Sequence, residues 1–249
     1  RLFEPLFGTT DAEMNDPAFL YRHASQPEFV HNEKREPLMT YIHAYRLYKT
    51  RDFAAWRRQY HRVFAQHVRL RAPLLAEINE FAQRYLGRSF MVAAHVRHPS
   101  HTVEQPSGLI ADNEAYIAAI YAAVRARNLD LTGPDWGVFL ATDQERVVHR
   151  FREEFGDRVS TYSDVRRTRA AEDVVFDALS TEEKNRDGYQ LQHLVAADRS
   201  NWSVRMAWEV VRDAYTMARC HAMLHVVSNV STAVAYMNPD LEMMFCEAK

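Results

Sequence analysis

The chain has 249 residues, 47% of them hydrophobic and 26% charged, which excludes a disordered protein and leaves room for one large core or two modest ones. A formal net charge of −2 gives no electrostatic case for a nucleic-acid partner, and none is expected. Two cysteines, Cys220 and Cys246, are too few for a disulfide framework, 7 glycines are too few for a turn-rich all-β protein, and no stretch approaches the roughly 20 apolar residues of a transmembrane segment. A helix-rich chain in a reducing, cytoplasmic setting is expected.

Residues 1–35 carry Pro5, Gly8, Pro17 and Pro27 without a sustained period, so irregular structure with one short helix near 17–23 is expected. From 37 to 85 apolar residues recur at helical spacing, including Phe53, Trp56, Tyr60, Phe64 and Val68, and two or three helices follow. Arg57, Arg58, Arg62, Arg69 and Arg71 read as the solvated side of that group. Residues 74–85 form a further helix ended by Gly87. Residues 91–96 are an apolar run too short for a helix and closed by Pro99, hence a central parallel strand delivering Arg97, His98 and His101 to its end.

A loop over 102–111 follows, and Asp112 or Asn113 caps an alanine-rich helix reaching about residue 128. Residues 136–141 form a second strand ending in Thr142 and Asp143, then come a helix over 144–155 and a short strand at 159–161. Residues 164–201 read as an insertion or flap, with an acidic helix around 171–185. Its Arg166, Arg167 and Arg169 are assigned to a solvated loop in preference to a phosphate grip. A helix over 202–218, a strand over 220–227, a helix from Ser228 that stops before Pro239 and a last strand at 241–245 complete the chain.

Alternation of strand and helix from residue 86 to the end predicts an α/β fold, a doubly wound Rossmann-type domain behind a helical region over 1–85. In such sheets ligands bind beyond the carboxyl ends of the strands, so Arg97 and His98, Thr142 and Asp143, and the Ser228 turn should line one edge. The turn Ser228-Asn229-Val230-Ser231 offers N-caps and free backbone N–H groups; it suits an anion, and ordinary capping explains it equally well. With Arg97, whose guanidinium can grip phosphate oxygens in a fork, the natural ligand is a nucleotide diphosphate. His95, His98 and His101 are spaced by three, but Pro99 and the strand oppose the helix that would gather them around zinc, so no metal is expected. His221 and His225 read as packed or hydrogen-bonded residues.

His95-Val-Arg97, Ala141-Thr-Asp143, and Asp213 followed by Ser228-Asn-Val-Ser231-Thr-Ala-Val-Ala-Tyr236-Met-Asn-Pro239 resemble the motifs of the GDP-fucose-dependent fucosyltransferase superfamily, which includes the α-1,6-fucosyltransferases, the nodulation enzymes and the protein O-fucosyltransferases. The resemblance covers about residues 90–245 and implies a GT-B architecture whose C-terminal domain binds the GDP-sugar donor, with inverting, metal-independent transfer to a saccharide or glycan acceptor and no cofactor. It implies that Arg97 holds the β-phosphate, that His95 lies next to the nucleoside, that Asp213 reads guanine and that Asp143 supports the sugar site. Ser228, Asn229, Val230 and Ser231 fall where the family binds the pyrophosphate, and His98 and His101 stand beside Arg97. Glu104 is the first candidate for the general base, with Asp112 and Glu114 as others. Residues 1–85 then form a partial or reduced acceptor-side region. His98 and Gln144 depart from the animal-type pattern, which keeps two alternatives open: a nucleotide-sugar-binding protein without transfer activity, and a GT-B enzyme using another nucleotide sugar.

Overall fold

The computed structural model describes residues 51–97, 111–180, 183, 204–226 and 228–246. In chain order these form α1 (Arg51–His67), α2 (Ala72–Tyr85), β1 (Phe90–Val96), α3 (Asn113–Arg125), β2 (Trp136–Thr142), α4 (Glu145–Phe155), β3 (Val159–Ser160), α5 (Ala170–Ala178), α6 (Val204–Met217), β4 (Ala222–His225), α7 (Asn229–Met237) and β5 (Glu242–Phe245). The strands make one sheet in the order β3-β2-β1-β4-β5. Every adjacent pair is parallel.

The apolar run of β1 has no polar alternation because both faces of the sheet are covered. Phe90, Val92, Ala94 and Val96 join one cluster with Ile120 and Val124 of α3 and Val147 and Phe151 of α4. Met91 and Ala93 join a second with Ala214 and Met217 of α6 and Val234 and Ala235 of α7. The result is a doubly wound α/β sheet between two helical layers, as the alternation of elements predicts.

Boundaries differ where local geometry intervenes. β4 begins at Ala222 rather than at residue 220, because Cys220 still belongs to the turn leaving α6, its N–H donating to Met217 O (3.1 Å). The acidic helix is α5 and ends at Ala178, with Leu179 already extended. Gly156 ends α4 at φ +58°, a conformation that favours glycine, and so turns the chain into β3. The helices expected near 17–23 and 37–50, the loop at 102–110 and most of 181–203 lie outside the described residues.

The two helices ahead of the sheet pack on its second layer. Leu70, Leu74 and Ile78 meet Trp208, Val211 and Tyr215 of α6. Tyr60 of α1 lies 5.2 Å, centroid to centroid, from Tyr236 of α7. Between these contacts Arg57 is buried, against the solvated reading, while Arg58, Arg62 and Arg69 are exposed as expected. Its Nε donates to Ala235 O (3.1 Å) and its Nη2 to Asn238 O (2.6 Å) and Leu241 O (2.8 Å). The last turn of α7 leaves carbonyls without intrahelical partners, and a cation at that end complements the helix dipole. Burial lowers the Arg57 pKa to about 10, so the guanidinium stays charged at neutral pH.

Replacing Arg57 with alanine removes three hydrogen bonds from one buried cation and strands their carbonyls. Thermal unfolding of Arg57→Ala should show a loss of about 2–4 kcal/mol, a drop in Tm of roughly 5–12 °C. A drop below about 1 °C would mean the side chain is not buried as described.

Candidate functional site

From β1 the chain winds outward through α3, β2 and α4 to β3; through α6 it then returns to the other side of β1, where it lays down β4 and β5. The order therefore reverses between β1 and β4, and the carboxyl ends of those two strands are where sheets of this kind place a ligand crevice. β1 and β4 are in register only over Val92 to Ala94 and Ala222 to Leu224. Past that point a buried phenol caps the end of β1: Tyr116 of α3 donates its hydroxyl hydrogen to His95 O (2.7 Å). Burial pushes the Tyr116 pKa well up, and the nearby Arg97 cation opposes the shift.

The far side of the crevice is the start of α7. Ser228 is its N-cap, with Oγ accepting from Ser231 N (2.9 Å) and donating to Ser231 Oγ (3.1 Å). Ser231 Oγ lies 2.9 Å from Ser228 O and 3.2 Å from Val226 O. Both hydroxyls are buried within the cap, so the donors this turn has left for an anion are the first backbone N–H groups, those of Asn229 and Val230. His95 Nδ1 stands 3.4 Å from Ser228 Oγ, which ties the end of β1 to the helix start.

β2 supplies the third strand end. His95 is in register with Ala141 and Val96 with Thr142, so the next pair along is Arg97 and Asp143, on strands about 4.8 Å apart. Asp143 O accepts from Thr168 N (2.8 Å) and Thr168 Oγ1 (3.3 Å), while Thr168 O accepts from Glu145 N (3.1 Å). The arginine-rich segment thus runs along the end of β2. Arg167 in it is half-buried and donates from Nη2 to Thr161 Oγ1 and Tyr162 O, both at 2.8 Å. It fastens its own loop rather than standing in solvent; Arg166 and Arg169 are exposed.

Asp213 belongs to a charged group on α6. Its neighbour Arg212 is buried, pairs with Asp164 (2.6 Å) and Glu77 (3.1 Å), and lies 3.9 Å from the centroid of the Tyr162 ring. Asp213 is half-buried, and the loss of solvation at its carboxyl pushes its pKa up to about 7; Arg212 and Arg167 pull the other way, and Glu209 and Asp164 add to the rise.

The candidate bases divide. Asp112 accepts from Ala115 N (2.7 Å) as the cap of α3, and Glu114 is held in a two-pronged pair with Arg150 (2.8 and 3.0 Å). His98, His101 and Glu104 lie outside the described residues. His225 is buried, and desolvation lowers its pKa to about 4; His221 Nδ1 accepts from Met91 N (2.9 Å), so both act within the fold as expected. Among the described residues no group of three or more His, Cys, Asp or Glu side chains is placed to hold a metal.

The structure therefore brings together His95, Ser228 and Ser231, adds the N–H groups of Asn229 and Val230, and places Arg97 and Asp143 one residue past the last registered pair of β1 and β2, Val96 and Thr142. Sequence reasoning missed Tyr116 and Thr168. The signal for Tyr116 was present: it is a lone phenol in the first turn after the Asp112 cap, within an otherwise alanine-rich stretch.

The described unit is a doubly wound parallel α/β domain with a switch-point crevice. No family model matches the chain, and no curated protein matches it. Among solved structures it is similar to selenomethionine fucosyltransferase NodZ from Bradyrhizobium, at 19% identity over 71% of this chain and 44% of that chain, with a TM-score of 0.39. It is also similar to NodZ alpha-1,6-fucosyltransferase soaked with GDP-fucose, at 15% identity over 96% and 75% of the two chains with a TM-score of 0.45. POFUT1 in complex with GDP-fucose matches at 11% identity over 73% and 48%, with a TM-score of 0.43. The chain spans 44% of the length of the first of these.

Because the folded-state pKa of Asp213 is raised, the group costs stability: the cost is absent below about pH 4, where folded and unfolded chains both hold the proton, and complete above about pH 7. Asp213→Asn should raise Tm by about 2–4 °C at pH 8, with the gain shrinking toward zero at pH 4–5. A gain independent of pH would remove the buried-carboxyl account.

Proposed function

We propose that the chain carries the donor domain of an inverting, metal-independent glycosyltransferase of GT-B type. It transfers a sugar, fucose in the first instance, from a GDP-sugar to a saccharide acceptor. The observation that carries this reading is the meeting, at the β1/β4 switch point, of the His95–Arg97 strand end and the Ser228-capped helix, the two parts of the sequence that carry the motif resemblance. A diphosphate in the crevice would receive the N–H groups of Asn229 and Val230 and the guanidinium of Arg97, all donors, with the dipole of α7 favouring negative charge.

The same donors serve the reaction. As the bond from the sugar carbon to the diphosphate breaks, negative charge builds on the leaving β-phosphate, and groups already aimed at it lower the barrier without reorganising. The acceptor hydroxyl attacks from the opposite face and must lose its proton to a base. Asp112 and Glu114 are engaged in capping and pairing, which favours Glu104, with His101 and His98 adding positive charge beside Arg97. Asp143 supports the sugar. Asp213, once ionised, accepts from N1–H and the 2-amino group of guanine, a pair of donors that adenine and uracil do not present together. A binding protein without transfer activity shares the donor contacts and lacks only the base.

Calorimetric titration should show GDP binding at least about tenfold tighter than UDP, ADP or CMP, without added metal. Preference for UDP would sink the role of Asp213. Donor hydrolysis and transfer should fall by at least about 100-fold in Arg97→Ala, and full activity in that variant would remove its phosphate role. Since guanine needs the ionised Asp213, GDP affinity in the wild type should weaken by up to about tenfold from pH 7.5 to 6, beyond any change seen in Asp213→Asn. Parallel pH profiles for the two proteins would contradict this.

A further inference from the structure

At the edge of the sheet opposite His95 and Ser228, the starts of β1 and β3 and the ends of α2 and α4 enclose an open cleft of about 640 Å³. Four arginines line it, Arg84, Arg88, Arg152 and Arg158, with Asp157 and Tyr85. Two of the arginines are fixed in place. Arg88 donates from Nη1 to Trp136 O (2.8 Å) and from Nη2 to Asp157 O (3.0 Å). Arg158 donates from Nε to Gly133 O (3.2 Å), and its guanidinium lies 5.0 Å from the centroid of the Trp136 ring. Those partners, carbonyls and a ring, orient the guanidinium groups, with the Asp130 carboxylate also in reach of the Arg158 charge. Arg84 and Arg152 are exposed, and among the described residues neither has a carboxylate partner.

Arg88 and Arg158 close loops, while Arg84 and Arg152 stand in the last turns of α2 and α4, where a cation suits the helix dipole and the side chain remains exposed at the cleft. Four cations facing one carboxylate across a pocket of ligand size favour an occupant with several negative groups. Guanidinium forks match the oxygens of sulfate and carboxylate in pairs. Tyr85, with the Arg84 guanidinium 5.1 Å from its ring centroid, adds an aromatic surface of the kind that packs on the C–H face of a sugar ring. The charge is confined to a cleft in a chain of net charge −2, unlike the basic stripe that follows a nucleic-acid backbone.

The geometry points to a second ligand site at this edge, for a short glycan bearing sulfate or carboxylate groups. The choice of a saccharide as carrier of the charge rests on the glycosyltransferase reading; the anion chemistry does not. The site lies across the sheet from the donor crevice, so it would anchor an anionic glycan away from the reacting centre.

The test is calorimetric titration of the full chain, wild type and the Arg84→Ala/Arg152→Ala double variant, with a heparin-derived tetrasaccharide, neutral chitotetraose, inorganic tripolyphosphate and, in parallel, GDP. The sulfated tetrasaccharide should bind the wild type, weaken by at least about tenfold in the double variant and weaken with added salt, while chitotetraose binds at least about tenfold less tightly. Unchanged Tm and unchanged GDP affinity in the double variant would confine the effect to the cleft. Equal tetrasaccharide affinity for both proteins, or none for the wild type at millimolar concentration, overturns the site. Tripolyphosphate binding as tightly, with the same dependence on the two arginines, overturns the saccharide. If GDP binds neither protein while the tetrasaccharide follows the expected pattern, the donor reading falls and the cleft stands.

Discussion

The parting of β1 from β4 is the constraint on which the rest of the site depends. Two parallel strands that pair over only a few residues and then diverge leave backbone groups facing an opening, and such groups are expensive to bury unpaired. On the β1 side Tyr116 answers this with its hydroxyl, which donates a hydrogen bond to His95 O. The first turn of α7, capped by Ser228, starts beside the end of β1, with His95 Nδ1 3.4 Å from Ser228 Oγ. The crevice and the helix start are thus consequences of one strand order.

Helix α7 is held at both ends by opposite means. At its start the Ser228 and Ser231 hydroxyls satisfy each other and the backbone, leaving the N–H groups of Asn229 and Val230 for a ligand. At its end Arg57, from a helix far away in sequence, takes the carbonyls of Ala235 and of the C-cap Asn238, and that of Leu241 in the turn that follows. A cation at the carboxyl end and an anion at the amino end both suit the dipole. Helix α1 therefore braces the far end of the element that faces the proposed diphosphate.

Elements with long apolar runs were legible because burial on both faces leaves a plain signature: β1 and β2 fall within a residue or so of the positions that their sequence predicts. The Ser228 cap was legible because its chemistry is local. Arg57 was not, although its position held the clue: it lies four residues after Phe53 and three before Tyr60, on the apolar stripe rather than opposite it. Charge was allowed to outweigh spacing, and the carbonyls that make burial possible lie about 180 residues further on, beyond any local pattern. Arg167 misled in the same way, since its partners are the oxygens of the loop it closes. Asp213 was singled out through motif resemblance; its half-buried, charge-crowded setting depends on Arg167 and Asp164 arriving from the end of β3, which no spacing within α6 reveals.

The account stands or falls on where a diphosphate binds. A crystal structure of the protein with GDP, grown without divalent metal, tests this most directly. The account predicts the β-phosphate within hydrogen-bond distance of the Asn229 and Val230 N–H groups and the Arg97 guanidinium, with guanine against the Asp213 carboxylate. A nucleotide seated elsewhere, in the arginine-lined cleft at the opposite edge of the sheet or away from α7, would contradict it.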